Sequence, residues 1–123
     1  MKKILIVDDA TTVRMYHRQL MESLGYHVEE AGNGVEALEK ASQDTYDLFL
    51  VDINMPKMDG YTFIEEIRKT PAVKATPAIM ISTEETESDR DKAYEAGANF
   101  YFIKPVRMEA IQTFTKLLTG GAE

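Results

Sequence analysis

There is no cysteine among the 123 residues, which removes disulfides, thiol chemistry and thiolate metal sites together. That absence also fits a reducing compartment. Tryptophan is missing as well, so any optical readout of shape must come from tyrosine. No apolar run approaches the roughly 20 residues needed to cross a bilayer. The first apolar segment, Ile4 to Val7, meets Asp8 and Asp9 far too early for a secretory signal. Basic residues are outnumbered 14 to 21 by acidic ones, a formal net charge of −7. Nucleic acid or an anionic membrane would want a basic face, so neither is expected as the main partner. The sequence reads as a soluble, cytoplasmic protein.

The length suits one domain with one core, residues 1–123, ending in a short flexible tail at 120–123 with no output domain attached. Five short apolar runs recur, each followed by a helical pattern. Lys3 to Val7 is the first strand. Val13, Tyr16, Leu20 and Leu24 then fall at helical spacing, with Thr11 or Thr12 as N-cap and Gly25 as a stop. His27 to Ala31 alternates and carries Glu29 and Glu30, the pattern of an exposed edge strand. Val35, Leu38 and Ala41 mark a second helix. A third strand, Asp47 to Val51, delivers Asp52, and the loop from Ile53 to Gly60 leads to a helix with Phe63, Ile64 and Ile67. Ala78 to Ile81 is a fourth strand ending at Ser82-Thr83, followed by an acidic helix from about Glu85 to Ala96. Phe100 to Ile103 leads to Lys104-Pro105 and to a last helix with Met108, Ile111, Phe114, Leu117 and Leu118. Strict alternation of this kind predicts an α/β fold, a single doubly wound (βα)5 unit with a parallel sheet covered on both faces.

In such a sheet, ligands bind beyond the carboxyl ends of the strands, where strand order reverses. Those ends carry Asp8 and Asp9, Asp52, Ser82 or Thr83, and Lys104. With the flavodoxin-like order 2-1-3-4-5, the first and third strands are neighbours and three carboxylates share one crevice. Two like charges about 4 Å apart repel by about 4 kcal/mol at an effective dielectric near ~20. Raised pKa values or a bound hard cation relieve that repulsion, and short Asp side chains with backbone carbonyls and water suit Mg2+. Lys104 adds a fixed positive charge on the other side. The arrangement suits a phosphoryl group, with Asp52 as the nucleophile and a hydroxyl from Ser82 or Thr83 nearby.

The segments Ile6-Val7-Asp8-Asp9, Val51-Asp52-Ile53-Asn54-Met55-Pro56, Met58-Asp59-Gly60, Ile81-Ser82 and Lys104-Pro105 stand in the order and spacing of response-regulator receiver domains. The resemblance covers essentially the whole chain and is greatest to the stand-alone chemotaxis type. It implies a phosphorylation-activated switch of two-component signalling that takes its phosphoryl group from a histidine kinase. On that resemblance Asp52 is the phosphoacceptor, and Asp9, Asp52 and the Asn54 carbonyl ligate Mg2+, with Asp8 acting through water. Ser82 and Lys104 contact the bound phosphoryl group, and Tyr101 is the aromatic that turns inward on activation. The domain then catalyses its own phosphorylation and dephosphorylation while remaining primarily a signalling protein, expected as a monomer. Its output would be a partner meeting the face made by the fourth helix, the fifth strand and the last helix, a flagellar motor switch or another protein, with a phosphatase as a further partner.

Some positions depart from what is common in that family. Thr83 stands where a small residue is frequent, offering a second hydroxyl to the switch. Val106 stands where phenylalanine is frequent. The fourth helix begins with the acidic run Glu84-Glu85-Thr86-Glu87. Asn54 and Glu84 lie where side chains influence the water that hydrolyses an acyl phosphate. Two other readings stand beside the switch: a phosphate sink or scaffold without direct output, and a small-cofactor α/β protein. The latter rests on Gly32-Asn33-Gly34-Val35-Glu36-Ala37, a loose dinucleotide pattern that a simple strand-to-helix turn also satisfies. His17 and His27 lack metal-ligand spacing and read as exposed or half-buried.

Overall fold

A computed structural model describes residues 1–83 and 87–122. Strands and helices alternate: β1 (Lys3–Val7), α1 (Thr11–Ser23), β2 (His27–Ala31), α2 (Gly34–Gln43), β3 (Leu48–Asp52), α3 (Gly60–Lys69), β4 (Ala78–Ser82), α4 (Glu87–Ala96), β5 (Phe100–Ile103) and α5 (Met108–Thr119). All strand pairings are parallel, and the sheet order is β2-β1-β3-β4-β5, the flavodoxin-like order. The start of the acidic helix expected near Glu85, and the position of Glu84, lie outside the described residues.

The hydrophobic pattern explains this layering. Every residue of β3 and β4 is buried, as continuous apolar runs require of strands covered on both faces. Their side chains alternate between two cores. Leu5, Val7, Phe49, Val51 and Met80 pack beneath α2, α3 and α4, with Phe49 and Phe63 edge to face at 5.4 Å. Ile4, Ile6, Leu48, Leu50 and Ile79 face α1 and α5 through Leu20, Met21 and Ile111. β2 lies at the edge, with Glu29 and Glu30 half-buried.

Among the described residues, two helix starts are closed by side chains. Asn33 and Asp59 cap α2 and α3 by accepting from the amides of Glu36 and Thr62. Gly25, at φ +94°, follows the last turn of α1, as a stop there requires. The N-cap of α1 is Ala10, not Thr11 or Thr12. Asp8 Oδ1 accepts the Ala10 amide at 2.8 Å, and this local turn starts the helix one residue earlier than the threonines indicate. Gly120 closes α5, and the Ala122 carbonyl accepts the Lys2 amide at 3.1 Å beside β1.

Candidate functional site

Register decides what meets at the carboxyl edge of the sheet. Val7 pairs with Val51, so Asp8 and Asp52 emerge side by side. Asp8 is 3 % and Asp52 6 % exposed, whereas Asp9 is exposed. One carboxylate oxygen from each of the three lies within 4.8 Å of the others. Lys104 Nζ reaches into this group, 2.8 Å from Asp52 Oδ1 and 3.3 Å from Asp8 Oδ2. The Lys104 amide donates to the Ser82 carbonyl at 2.7 Å, which ties the start of the β5–α5 connection to the end of β4.

The electrostatics follow from that crowding. Burial pushes the Asp52 carboxyl up, and the charges of Asp8 and Asp9 add to the shift, outweighing the lowering effect of Lys104. Burial alone would lower the Lys104 ammonium, but hydrogen bonds and charge from Asp52 and Asp8 hold it above its ordinary value. The lysine therefore stays charged while the carboxylates remain over-crowded. Three hard oxygen donors, with one exposed member open to solvent and to a partly hydrated ion, fit Mg2+.

The other residues singled out by sequence divide into two groups. Ser82 is fully buried at the end of β4, while Thr83 is exposed. Asn54 is exposed in the loop after β3. Tyr101 is only 6 % exposed, with the Arg90 guanidinium 5.7 Å from its ring centre. On the α4-β5-α5 face, Ile111 belongs to the core, Phe114 is half-buried against Phe100 and Phe102, and Tyr94 is exposed.

Three features escaped the sequence reading. Gly60 brings α3 against the reactive strand end, since a Cβ there would lie 2.4 Å from the Asp52 carbonyl oxygen. His17 is buried at 4 % rather than half-exposed, and it lines the floor of a groove of about 510 Å³ between α1 and the Lys104–Val106 segment. Burial lowers its pKa. Arg14 reaches back to the Asp8 carbonyl. Only the Asp59-Gly60 pair carried a sequence signal, that of a capped helix start.

The glycine turn after β2 also has a structural use. The Gly34 amide donates to the Met58 carbonyl at 3.2 Å, and a Cβ on Gly34 would lie 2.7 Å from that carbonyl oxygen. With the Asn33 side chain on the Glu36 amide as well, these groups at the start of α2 serve the β3–α3 loop rather than a dinucleotide phosphate.

The sequence profile of the response regulator receiver domain matches residues 4–116. The chain belongs to the response regulator receiver family. Its receiver sequence is 41% identical over 115 residues to the sensor histidine kinase CheAY of Helicobacter pylori, covering 92% of this chain and 14% of that protein. It spans less than half the length of four curated relatives that it matches. Among solved structures, the chemotaxis response regulator CheY4 of Vibrio cholerae superimposes with a TM-score of 0.90 at 32% identity, covering 96% of this chain and 98% of that one. A receiver domain from a Pseudomonas aeruginosa sensor histidine kinase, whose active-site cleft coordinates magnesium, gives 0.90 at 29% identity, with 98% of each chain covered. Receivers are parts of two-component systems and take phosphate from histidine kinases, commonly at an acidic pocket that binds Mg2+. Among the described residues, no helix of this receiver is long and apolar enough to cross a membrane.

Proposed function

We propose that this receiver is a switch worked by phosphorylation of Asp52. The observation that carries the reading is the Lys104 ammonium 2.8 Å from Asp52 Oδ1, inside a set of three carboxylates. A buried carboxylate on a rigid strand end is held for in-line attack, and a lone pair on one of its oxygens is the nucleophile. An Asp52 oxygen forms the new bond to phosphorus as the phosphorus–nitrogen bond of a kinase phosphohistidine breaks, and the imidazole nitrogen leaves with that electron pair. Lys104 then turns from the carboxylate to the phosphoryl oxygens, and Ser82 supplies a hydroxyl at the same edge.

Asp9, Asp52 and the Asn54 carbonyl would hold Mg2+, with Asp8 acting through water. That ion supplies charge neutralisation for a phosphoryl group arriving among carboxylates. Asp8 also steadies Lys104 through their 3.3 Å contact.

The output is a change at the α4-β5-α5 face. Drawing Lys104, Ser82 and Thr83 towards the phosphoryl group shifts the ends of β4 and β5, on which Tyr101 sits. A partner that binds one arrangement better than the other reads the switch. Control of a chemotaxis partner is the output this reading favours, in keeping with the likeness to CheY4.

Incubation with acetyl phosphate and Mg2+ tests the reading. Wild type should take up one phosphoryl group and Asp52→Asn none. Equal labelling of both would refute it.

A further inference from the structure

Asp8 is held from more sides than a cation ligand at a strand end requires. Its amide donates to the Ala31 carbonyl at 3.1 Å, Oδ1 accepts the Ala10 amide at 2.8 Å, and Oδ2 faces Lys104. The remaining group, its main-chain carbonyl, accepts from Arg14 Nη1 at 2.5 Å. That carbonyl belongs to the peptide that joins Asp8 to Asp9. The same guanidinium donates through Nε to Glu30 Oε1 at 2.9 Å and through Nη2 to Thr11 Oγ1 at 3.3 Å.

Glu30 is itself anchored. Its other oxygen is held by Arg18, whose Nη2 also donates to the Val28 carbonyl at 3.0 Å, and its main-chain carbonyl accepts from Lys40. Burial would raise the Glu30 carboxyl, but the two arginines outweigh it and hold it below the ordinary carboxylate range. The edge strand therefore carries a fixed anion, and Arg14 spans from it to the Asp8–Asp9 peptide.

We propose that Arg14 is a positioning residue for the cation site: the Glu30–Arg14 strut fixes the Asp8–Asp9 peptide so that the exposed Asp9 carboxylate stays beside those of Asp8 and Asp52. The proposal rests on the Mg2+ reading of the carboxylate cluster. It explains why a half-buried glutamate sits on β2 opposite the acidic loop. A bare guanidinium this close to the cluster would repel a cation, and Glu30 neutralises it while leaving its rigid fork to brace the chain.

The two effects of removing Arg14 have opposite signs. Lost positive charge alone tightens Mg2+ binding, whereas lost positioning weakens it. Mg2+ titration of the intact chain, followed by the amide NMR shifts of Asp9 and Ala10, separates them. Arg14→Gln should weaken binding about tenfold, the scale of groups that orient metal ligands. Arg14→Lys should not restore it, because one ammonium cannot serve the Asp8 carbonyl and Glu30 together. Glu30→Gln keeps an acceptor for Arg14 but uncovers its charge, and should weaken binding by about threefold, below that scale. Wild-type or tighter affinity in Arg14→Gln overturns the proposal, as does full rescue by Arg14→Lys. Should Arg14→Gln not fold, wild-type affinity in Glu30→Gln overturns it equally. Failure of the wild type to bind Mg2+ saturably would instead overturn the site reading beneath it.

Discussion

The α-carbon of Gly60 lies so close to the Asp52 carbonyl that a Cβ built on it falls 2.4 Å from that oxygen. The Gly60 amide also donates to the Ile53 carbonyl at 2.9 Å. The first turn of α3 is therefore packed directly on the residue proposed to carry the phosphoryl group. Gly60→Ala must push backbone against backbone and should cost about 1–3 kcal/mol, the scale of overpacking in a tight core. Urea unfolding measures that loss, and slower labelling by acetyl phosphate should accompany it. A variant with wild-type midpoint and labelling rate would contradict the packing argument.

Burial of Asp52, with the charges of Asp8 and Asp9 beside it, sets a pH-dependent stability. Its folded pKa is raised above its ordinary 3.8, so the folded state takes up this proton more readily than the unfolded chain. The contribution is present in full below about pH 3.8 and is lost as pH rises through the folded value. At neutral pH without divalent cations, Asp52→Asn should therefore unfold at a higher temperature than the wild type. Adding Mg2+ should raise the wild-type midpoint far more than the variant's. Thermal unfolding followed by circular dichroism checks both. A lower midpoint for Asp52→Asn in metal-free buffer would contradict the sign.

His17 has the opposite dependence. Burial, with help from the Lys104 charge and against that of Asp8, lowers its pKa below 6.5. The unfolded chain then takes up the proton first. Stability from this residue is full above about pH 6.5 and declines as pH falls through the lower folded value. His17→Gln should flatten the fall in unfolding free energy across that window. An unchanged slope would show that the imidazole does not titrate differently on folding.

At the opposite edge of the sheet, Arg68 tests whether stability and site chemistry separate. Its guanidinium donates to the Gly97 carbonyl at 2.8 and 3.0 Å, to the carbonyls of Lys74 and Thr76, and to Asn99 Oδ1. Burial lowers its pKa, and these acceptors stand in for water. Arg68→Ala should cost about 2–3 kcal/mol through the lost charged hydrogen bonds. Its Mg2+ affinity should stay at the wild-type value. A weakened Mg2+ site in this variant would mean that the two edges are coupled.

Strand positions and sheet order were legible because buried parallel strands leave unbroken apolar runs, and because Asp8, Asp52 and Lys104 follow them directly. The edge role of β2 was legible in Glu29 and Glu30, although not the use of Glu30 as an anchor for two arginines. What stayed hidden depends on tertiary contact. Nothing in the sequence places Arg14 on the Asp8 carbonyl, since helical spacing shows only which face is apolar. His17 stands four residues after Val13 and three before Leu20, on the buried face of α1, and its polar ring masked that place in the sequence. The start of α1 was misread because Asp8, rather than a threonine at the helix end, closes the turn. Gly34 was legible as the glycine of a strand-to-helix turn, but the close fit of Met58 against it was not.

The central claim is that Asp52 takes the phosphoryl group, and trapping the acyl phosphate tests it most directly. Borohydride reduces an aspartyl phosphate to homoserine, which peptide mass mapping then locates. After treatment with acetyl phosphate and Mg2+, homoserine should appear at Asp52, with none at Asp8 or Asp9 and none when Mg2+ is removed by chelation. Homoserine at Asp8 or Asp9, or no conversion at Asp52 in fully labelled protein, would contradict the account.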